Sequence, residues 1–166
     1  MHETVLVRQA LLSDLRATAV LYKDLDETHE VLDVGLRVRG TKGRRDHLRL
    51  SLDAPHSRVA VACSDDRVVG FVIARFAQSR PDVIVEALSV ARAFRRRGLA
   101  TALMRHVEAW AKDRGARFVE LDVYEFNPEA RAFYEFLGYL TTRRTMRKDP
   151  NLDVLALTSQ RSRPGR

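Results

Sequence analysis

A short turn with three consecutive arginines carries the clearest chemical signal in this sequence. The letters FRRRGLATALM begin at residue 94, so Arg95, Arg96 and Arg97 run directly into Gly98 and an Ala/Leu-rich helical pattern. The first amides of a helix have no intrahelical acceptors, and the helix dipole is positive at that end. Gly98 and the small Ala100 let a ligand approach the backbone, and arginines add hydrogen bonds to phosphate. The turn could therefore bind an anion such as a pyrophosphate.

Two other interpretations of this turn stay open. Gly98 could only ease the passage from a strand to a helix, with solvated arginines around it. The arginines could instead form a basic patch for nucleic acid, although the helix that follows alternates its charges (RHVEAWAKDR). Neither a Lys-Ser/Thr pair nor the pattern G-x-G-x-x-G occurs here, so the two common phosphate-loop motifs do not explain the turn.

A single carboxylate interrupts the apolar, strand-like run VIVEALSV at residues 83–90. Strand alternation predicts that Glu86 shares a face with Ile84, Leu88 and Val90. A carboxylate is costly in a buried strand unless it has a partner or a function. We interpret Glu86 as a general base, as the holder of a proton-relaying water, or as an anchor for a substrate amine. A salt bridge to an arginine is the structural alternative.

Composition limits the class of protein. The 166 residues suit one domain, which we place at residues 1–160, before a basic and disordered tail at residues 161–166. The net charge of +7 attracts polyanions in general and is weak evidence for nucleic acid. No apolar run approaches the roughly 20 residues that a membrane helix needs. A single cysteine and the lack of an export signal favour a cytoplasmic location.

The other reactive side chains do not form a site of their own. The five histidines lack zinc-binding spacing and no second cysteine supports a metal, so we expect no metal site. Cys63 lies in a β-rich run and is expected in the core rather than as a nucleophile.

Apolar periodicity and turn signals predict the elements that position these residues. We predict strands at residues 4–10, 57–64, 67–77, 82–90 and 117–125, helices at 12–25, 98–114 and 127–137, and a closing hairpin at 139–148 and 152–159. Residues 26–56 are ambiguous, with two helical pieces split by the loop GTKG. Hairpin strands are antiparallel, whereas strands joined by a crossover helix are parallel. The expected fold is therefore α/β, with a mixed sheet and helices on both faces.

Two segments resemble the GNAT superfamily of N-acetyltransferases. VEALSVARAFRRRGLATALM is similar to its acyl-CoA-binding segment, whose core R/Q-x-x-G-x-G/A is met by Arg95, Gly98 and Ala100. DVYEFNPEARAFYEFLGY is similar to a second segment, which has an Asn, then a helix carrying a Tyr, then Gly and an aromatic residue. These places are filled by Asn127, Tyr134, Gly138 and Tyr139. The element order extends the resemblance to most of the chain except residues 26–56.

The resemblance implies a GNAT-like mixed, mostly antiparallel sheet whose central parallel strands splay apart. It also implies that acetyl-CoA is the co-substrate and that its pyrophosphate binds the turn after the fourth strand. The amides concerned would be those of Arg96, Arg97, Gly98, Leu99, Ala100 and Thr101. Arg95 would close the loop, and the backbones of Leu88 and Val90 would hydrogen-bond the pantetheine arm.

Catalytic roles follow from the same resemblance. The thioester would lie in the gap between the splayed strands, with Asn127 near the cofactor and Tyr134 facing the departing sulfur as a general acid. Glu86 would be the general base near this gap. Asn127 precedes a proline, so it is also expected to cap its helix. Tyr134 could alternatively be a half-buried packing residue.

We therefore expect an N-acetyltransferase that passes an acetyl group from acetyl-CoA to a primary amine by direct attack in a ternary complex. The alternatives are a longer acyl group, a regulatory acyl-CoA-binding module without turnover and, on charge alone, a nucleic-acid-binding protein. Either a small-molecule amine or a peptide is the expected acceptor, with no membrane partner, and a homodimer stays open. The acceptor site is expected in residues 22–56 and 140–155.

Two charged stretches lie within those acceptor segments. The acidic stretch DLDETHE (24–30) could attract a cationic amine, or it could be a solvated helix end. The basic stretch TTRRTMRK (141–148) could bind an anionic acceptor or a partner, or it could guard an edge strand.

Overall fold

A five-stranded sheet with four helices makes up the part of the chain that the structure describes. This computed structural model describes residues 5–32 and 41–146, with side chains described for residues 5–25 and 43–146. The strands are β1 (Val5–Gln9), β2 (Ser57–Ser64), β3 (Arg67–Phe76), β4 (Asp82–Val90) and β5 (Phe118–Leu121). The helices are α1 (Leu15–Leu32), α2 (Thr41–Asp53), α3 (Leu99–Asp113) and α4 (Pro128–Phe136).

The strands lie in sequence order across the sheet. β1 to β4 pair antiparallel, and β4 and β5, which are joined by α3, pair parallel. A crossover helix returns the chain to the same end of the sheet, which explains the parallel pair. The predicted α/β class, with a mixed and mostly antiparallel sheet, is confirmed.

Helices cover both faces of the sheet, as predicted. One core lies under α3 and α4 and contains the apolar stripe of α3, formed by Leu99, Leu103, Val107, Trp110 and Ala111. The other core lies under α1 and α2 and includes Leu48, Phe71 and Ile73. None of the described helices combines the length and the apolar character that crossing a membrane requires. The site therefore has a packed layer on each side.

Three predicted boundaries and one predicted strand are wrong. β5 ends at Leu121 instead of continuing to residue 125, and residues 122–124 are exposed. Residues 41–43 of the predicted GTKG loop begin α2, and α1 continues to Leu32 instead of ending at residue 25. Residues 139–146 are not a strand, because no described strand pairs with them and Leu140 and Met146 are exposed. The second hairpin strand (152–159) and the tail (161–166) lie outside the described residues.

Candidate functional site

A gap opens between β4 and β5 because their pairing stops early. The paired residues run from Asp82 opposite Phe118 to Val85 opposite Leu121. β4 continues to Val90, whereas β5 ends. Residues 86–90 therefore have no β5 partner, and this is the splayed pair that the resemblance implies.

The backbone of β4 offers hydrogen-bonding groups to this gap. The Ala91 amide donates to Val69 O at 2.8 Å, so this amide points toward β3. Because backbone groups alternate along a strand, those of Leu88 and Val90 point toward the gap. Arg95 already donates from Nε to Val90 O at 3.0 Å. The Val90 N–H and both backbone groups of Leu88 thus face the gap, and Arg95 ties the following turn to the end of β4.

The arginine turn has the geometry of an anion site. Gly98 has φ of +79° and Arg96 has φ of +63°, so two of its residues are left-handed. No atom lies within 4 Å of the position that a Cβ on Gly98 would occupy. Helical hydrogen bonding starts with Ala102 N–H, which donates to Gly98 O at 3.0 Å. The amides of residues 99–101 therefore have no acceptor within the helix.

A β-bulge in β4 places Glu86. In the pairing with β3, Ile73 lies opposite Ala87 and Ala74 lies opposite Val85, so Glu86 is the extra residue. An extra residue in one strand changes the phase of the side-chain alternation. Side chains after the bulge therefore point to the face opposite to the one that regular alternation predicts.

The bulge corrects the predicted neighbours of Glu86. Leu88 and Val90 pack into the core under α3, whereas Ala87 packs into the core under α1 and α2. Glu86 contacts His47 of α2, so it lies on the α1/α2 face. The prediction that Glu86 shares a face with Leu88 and Val90 is wrong, because simple alternation does not hold across a bulge.

Glu86 has two cationic or polar partners. Arg75 Nε donates a hydrogen bond to Glu86 Oε1, and His47 Nε2 lies 3.3 Å from Glu86 Oε2. Burial raises the pKa of the Glu86 carboxyl, but the hydrogen bonds from His47 and Arg75 and their charges outweigh burial, so the pKa lies below its ordinary value. Glu86 is thus ionised at neutral pH, and the salt bridge weighed from the sequence is present.

His47 and Arg75 were missed as site residues. Arg75 is one of many arginines in strand-like runs, and His47 lies in the ambiguous stretch before β2. Only the packing of α2 against β2 and α1 brings His47 within reach of Glu86. No local sequence signal identifies either contact.

Asn127 and Tyr134 are carried by α4. Asn127 Oδ1 accepts a hydrogen bond from Ala130 N–H at 3.1 Å, which confirms the predicted cap. Tyr134 is partly buried against the core under α3, and its ring meets that of Tyr139 edge-on at 5.8 Å. Burial raises the pKa of Tyr134 to about 12. Tyr134 and Glu86 therefore lie on opposite faces of the sheet.

Two cavities lie near β4, one beside α1 and one at the β3–β4 loop. The smaller one, about 220 Å³, is lined by Asp24, Ser89, Val90, Arg95 and others. The larger one, about 960 Å³, is lined by Arg75, Phe76, Ile84 and the β3–β4 loop among others. Of the acidic stretch at 24–30, Asp24 thus reaches a cavity, whereas the side chains of residues 26–30 lie outside the described part. The larger cavity lies almost wholly outside the predicted acceptor segments.

The remaining reactive side chains behave as structural groups. Cys63 is buried in the core under α1 and α2, as predicted, and burial raises the pKa of its thiol. A raised pKa keeps a thiol protonated and unreactive at neutral pH. Among the described side chains, no group of three or more His, Cys, Asp or Glu could hold a metal ion. Residues 141–146 of the basic stretch are exposed.

The fold and site define a GNAT-type acyltransferase. The sequence profile of the Acetyltransferase (GNAT) family matches residues 19–139. The chain belongs to this family, and it is an acetyl-CoA-dependent N-acyltransferase, which confirms the expectation from the two motif segments. Acetyl-CoA is the co-substrate typical of the family.

Particular relatives act on different amines. The chain is 30% identical over 123 residues to the 5-NmdU N-acetyltransferase of Pseudomonas phage PaMx11, covering 72% of this chain and 86% of the relative. It is 27% identical over 136 residues to an aminoglycoside N(6')-acetyltransferase type 1 of Salmonella enteritidis, covering 75% and 94%. Its fold matches aminoglycoside N-acetyltransferase AAC(6')-Iy in complex with CoA, with a TM-score of 0.72, 22% identity and coverage of 92% and 98%.

Proposed function

We propose that the chain transfers an acetyl group from acetyl-CoA directly to a primary amine of a small molecule, with both substrates bound at once. The observation that carries this proposal is the gap beside residues 86–90. Glu86 lies at its start on one face, and the arginine turn lies beyond its end. A gap with Glu86 at its start and the arginine turn beyond its end suits a ternary complex, in which no enzyme nucleophile has to hold the acetyl group.

The described residues fit acetyl-CoA. Its pyrophosphate would accept hydrogen bonds from the amides of Arg96, Arg97, Gly98, Leu99, Ala100 and Thr101. The open space beside Gly98 supports this assignment, since a side chain there would occupy the position of the anion. Leu88 and the Val90 amide would hydrogen-bond the pantetheine arm, and Arg95 would hold the turn against β4. The Asn127 cap uses only Oδ1, so its Nδ2 group could contact the cofactor as well.

Glu86 is best suited to bind and orient the amine rather than to take its proton directly. Its pKa is lowered, so the carboxylate is a weak base at neutral pH. A carboxylate has about four acceptor positions, and the contacts from Arg75 and His47 leave room for an ammonium group or a water. The acceptor would approach from the α1/α2 face, where Asp24 adds a second carboxylate near the end of β4.

Tyr134 would donate a hydrogen bond to the leaving sulfur from the opposite face. Its pKa of about 12 keeps the hydroxyl protonated at neutral pH. An ordinary thiol has a pKa of about 8.5, so full proton transfer from this hydroxyl to a thiolate would be uphill by about 5 kcal/mol. A hydrogen bond that strengthens as charge develops on the sulfur avoids that cost. Tyr134 thus stabilises the departing thiolate more than it protonates it.

The acceptor is proposed to be a small amine, since two of the relatives are named for such substrates. Their acceptors differ in chemistry, so neither one transfers to this chain by similarity alone. A cavity of about 960 Å³ beside Arg75 is large enough for a drug-sized acceptor. A cytoplasmic location and a homodimer stay predictions from the sequence.

Thermal melting tests the proposal first. Acetyl-CoA and CoA should each raise the melting temperature, and a DNA oligonucleotide should not. Stabilisation by the oligonucleotide alone would contradict the cofactor assignment. A panel of kanamycin, spermidine, lysine, phenethylamine and triglycine is then assayed for release of CoA thiol. Turnover with none of these amines would contradict the small-amine acceptor.

A further inference from the structure

We propose that His47 is the proton acceptor for the substrate amine, with Glu86 as its orienting partner. This inference rests on the proposed acetyl transfer and assigns the proton step that Glu86 alone does not suit. His47 is carried by α2, and Glu86 by the bulge of β4 at the start of the gap. The pair therefore lies where an amine entering from the α1/α2 face would meet the gap.

The contact between the two side chains fixes which ring nitrogen is basic. His47 Nε2 lies 3.3 Å from Glu86 Oε2. An ionised carboxylate only accepts hydrogen bonds, so Nε2 must carry the hydrogen in this contact. In the neutral ring the other nitrogen, Nδ1, then keeps its lone pair. Nδ1 is thus the atom that can take a proton from the amine, directly or through one water.

The surroundings of His47 favour such a role over a purely structural one. Its side chain is 26% exposed, so water and a small amine can reach it. From β4 it faces Glu86, whose carboxylate stabilises the charged imidazolium. From β3, Arg75 also bonds that carboxylate and opposes the same charge. Tyr22 of α1 lies 6.2 Å from the imidazole ring, and Arg44 of α2 lies 4.2 Å above the Tyr22 ring.

The proton and bond changes balance without an added reagent. The ammonium form of the acceptor gives one proton to His47 Nδ1, and the freed lone pair forms the new C–N bond as the C–S bond breaks. The departing thiolate, hydrogen-bonded by Tyr134, receives the second proton of the amine nitrogen through water. His47 then releases its proton to solvent. The net products are the amide, the free thiol of CoA and one proton.

The tautomer of His47 can be tested without any acceptor. Nitrogen-15 NMR of the full chain with acetyl-CoA bound should show a hydrogen on Nε2 and none on Nδ1 of the neutral His47 ring. In Glu86→Gln the side chain offers both a donor and an acceptor, so this preference should weaken. A neutral ring with its hydrogen on Nδ1 in the wild-type chain would overturn the inference.

The pH dependence of kcat/KM separates a base from a positioning group. His47→Gln keeps a hydrogen-bond donor for Glu86 but has no basic nitrogen. With the best amine of the panel above, it should lower kcat at pH 7 by about 100-fold or more. Wild-type kcat/KM should level off before the amine itself ionises, because His47 can take the proton of the ammonium form. The variant should instead keep rising tenfold per pH unit up to the ionisation of the amine itself, because only free amine then reacts.

Matched controls assign a failure to the right cause. Arg49→Gln changes an exposed residue of the same helix and should leave kcat and the pH profile unchanged. If His47→Gln keeps the wild-type kcat and the wild-type pH profile of kcat/KM, the role of His47 is overturned and the proposed acetyl transfer is not affected. No turnover by the wild-type chain would overturn both proposals.

Discussion

Gly98 and Gly115 bracket α3 and form a matched pair for testing the pyrophosphate site. Gly98 has φ of +79° and Gly115 has φ of +73°. Neither has an atom within 4 Å of the position of an added Cβ. A side chain at either position thus meets open space, and holding a non-glycine residue at this positive φ costs about 1–2 kcal/mol at both. Only Gly98 lies at the turn that we assign to the pyrophosphate, so the two substitutions to Asp differ mainly in their effect on the ligand.

The expected loss of affinity follows from the charge alone. In Gly98→Asp the new carboxylate would lie about 5 Å from a pyrophosphate charge, which costs about 3 kcal/mol at an effective dielectric of 20 and about 0.8 kcal/mol in bulk water. Gly98 is exposed, so the value lies between these limits. The dissociation constant of acetyl-CoA should therefore rise by roughly 4- to 150-fold. Gly115→Asp should change it by less than about twofold.

The variant that binds acetyl-CoA more weakly should be the one with the higher free energy of unfolding. An acidic residue at the start of a helix is favoured by the dipole by about 0.3–1 kcal/mol, and one near its end is disfavoured by a similar amount. Gly98→Asp should thus unfold at a higher urea concentration than Gly115→Asp and yet bind acetyl-CoA more weakly. Isothermal titration calorimetry and urea unfolding at one salt concentration give both numbers. Equal affinity of the two variants would refute the assignment of the pyrophosphate to this turn.

Three further predictions concern single side chains. Tyr134→Phe should lower kcat by about tenfold, the value of one hydrogen bond, with unchanged acetyl-CoA affinity by calorimetry; unchanged kcat would remove its role. Asn127→Ala loses the cap of α4 and should lower the free energy of unfolding by about 1 kcal/mol; equal urea midpoints would contradict this. Asp14, 7% exposed, accepts two hydrogen bonds from Arg8, at 2.6 and 3.0 Å, and these hold its pKa below the ordinary value. Its folded pKa is depressed, so its stabilisation is present above about pH 4 and is lost as pH falls further; Asp14→Asn should cost about 1–2 kcal/mol at pH 7 and less at pH 3 in urea unfolding.

The elements that carry strong local signals were predictable from the sequence. The apolar periodicity that begins at Gly98 predicted α3 at residues 98–114, within one residue of its ends at Leu99 and Asp113. Asn127 followed by Pro128 identified the start of α4. These signals depend on backbone conformation and helical spacing, which are local properties. The turn that should bind the cofactor belongs to this predictable class.

Features that depend on pairing between distant segments were not predictable. β5 ends at Leu121, where its pairing with β4 stops. Residues 122–125 include no glycine or proline that would predict this end. The contact of Glu86 with His47 requires α2 to pack against β2 and α1 on that face of the sheet. Residues 26–56 were ambiguous in the sequence, so the helix that brings His47 to the site could not be oriented. Sequence reasoning therefore identified the carboxylate and missed the imidazole.

The bulge at Glu86 accounts for both the gap and the division of the site between the two faces. Before it, β4 pairs with β5 through residues 82–85; after it, that pairing is absent. Val85 faces α3, so Glu86 faces α2 by ordinary alternation, and the extra residue then returns Leu88 and Val90 to the α3 face. In the proposed reaction, chemistry on the amine would thereby be separated from the α3 side, where Tyr134 would meet the leaving sulfur. Without the extra residue, Leu88 and Val90 would share the α1/α2 face with Glu86, as regular alternation predicts. The hydrogen bond from Arg75 and the contact with His47 make an ionised carboxylate tolerable on that face of the strand.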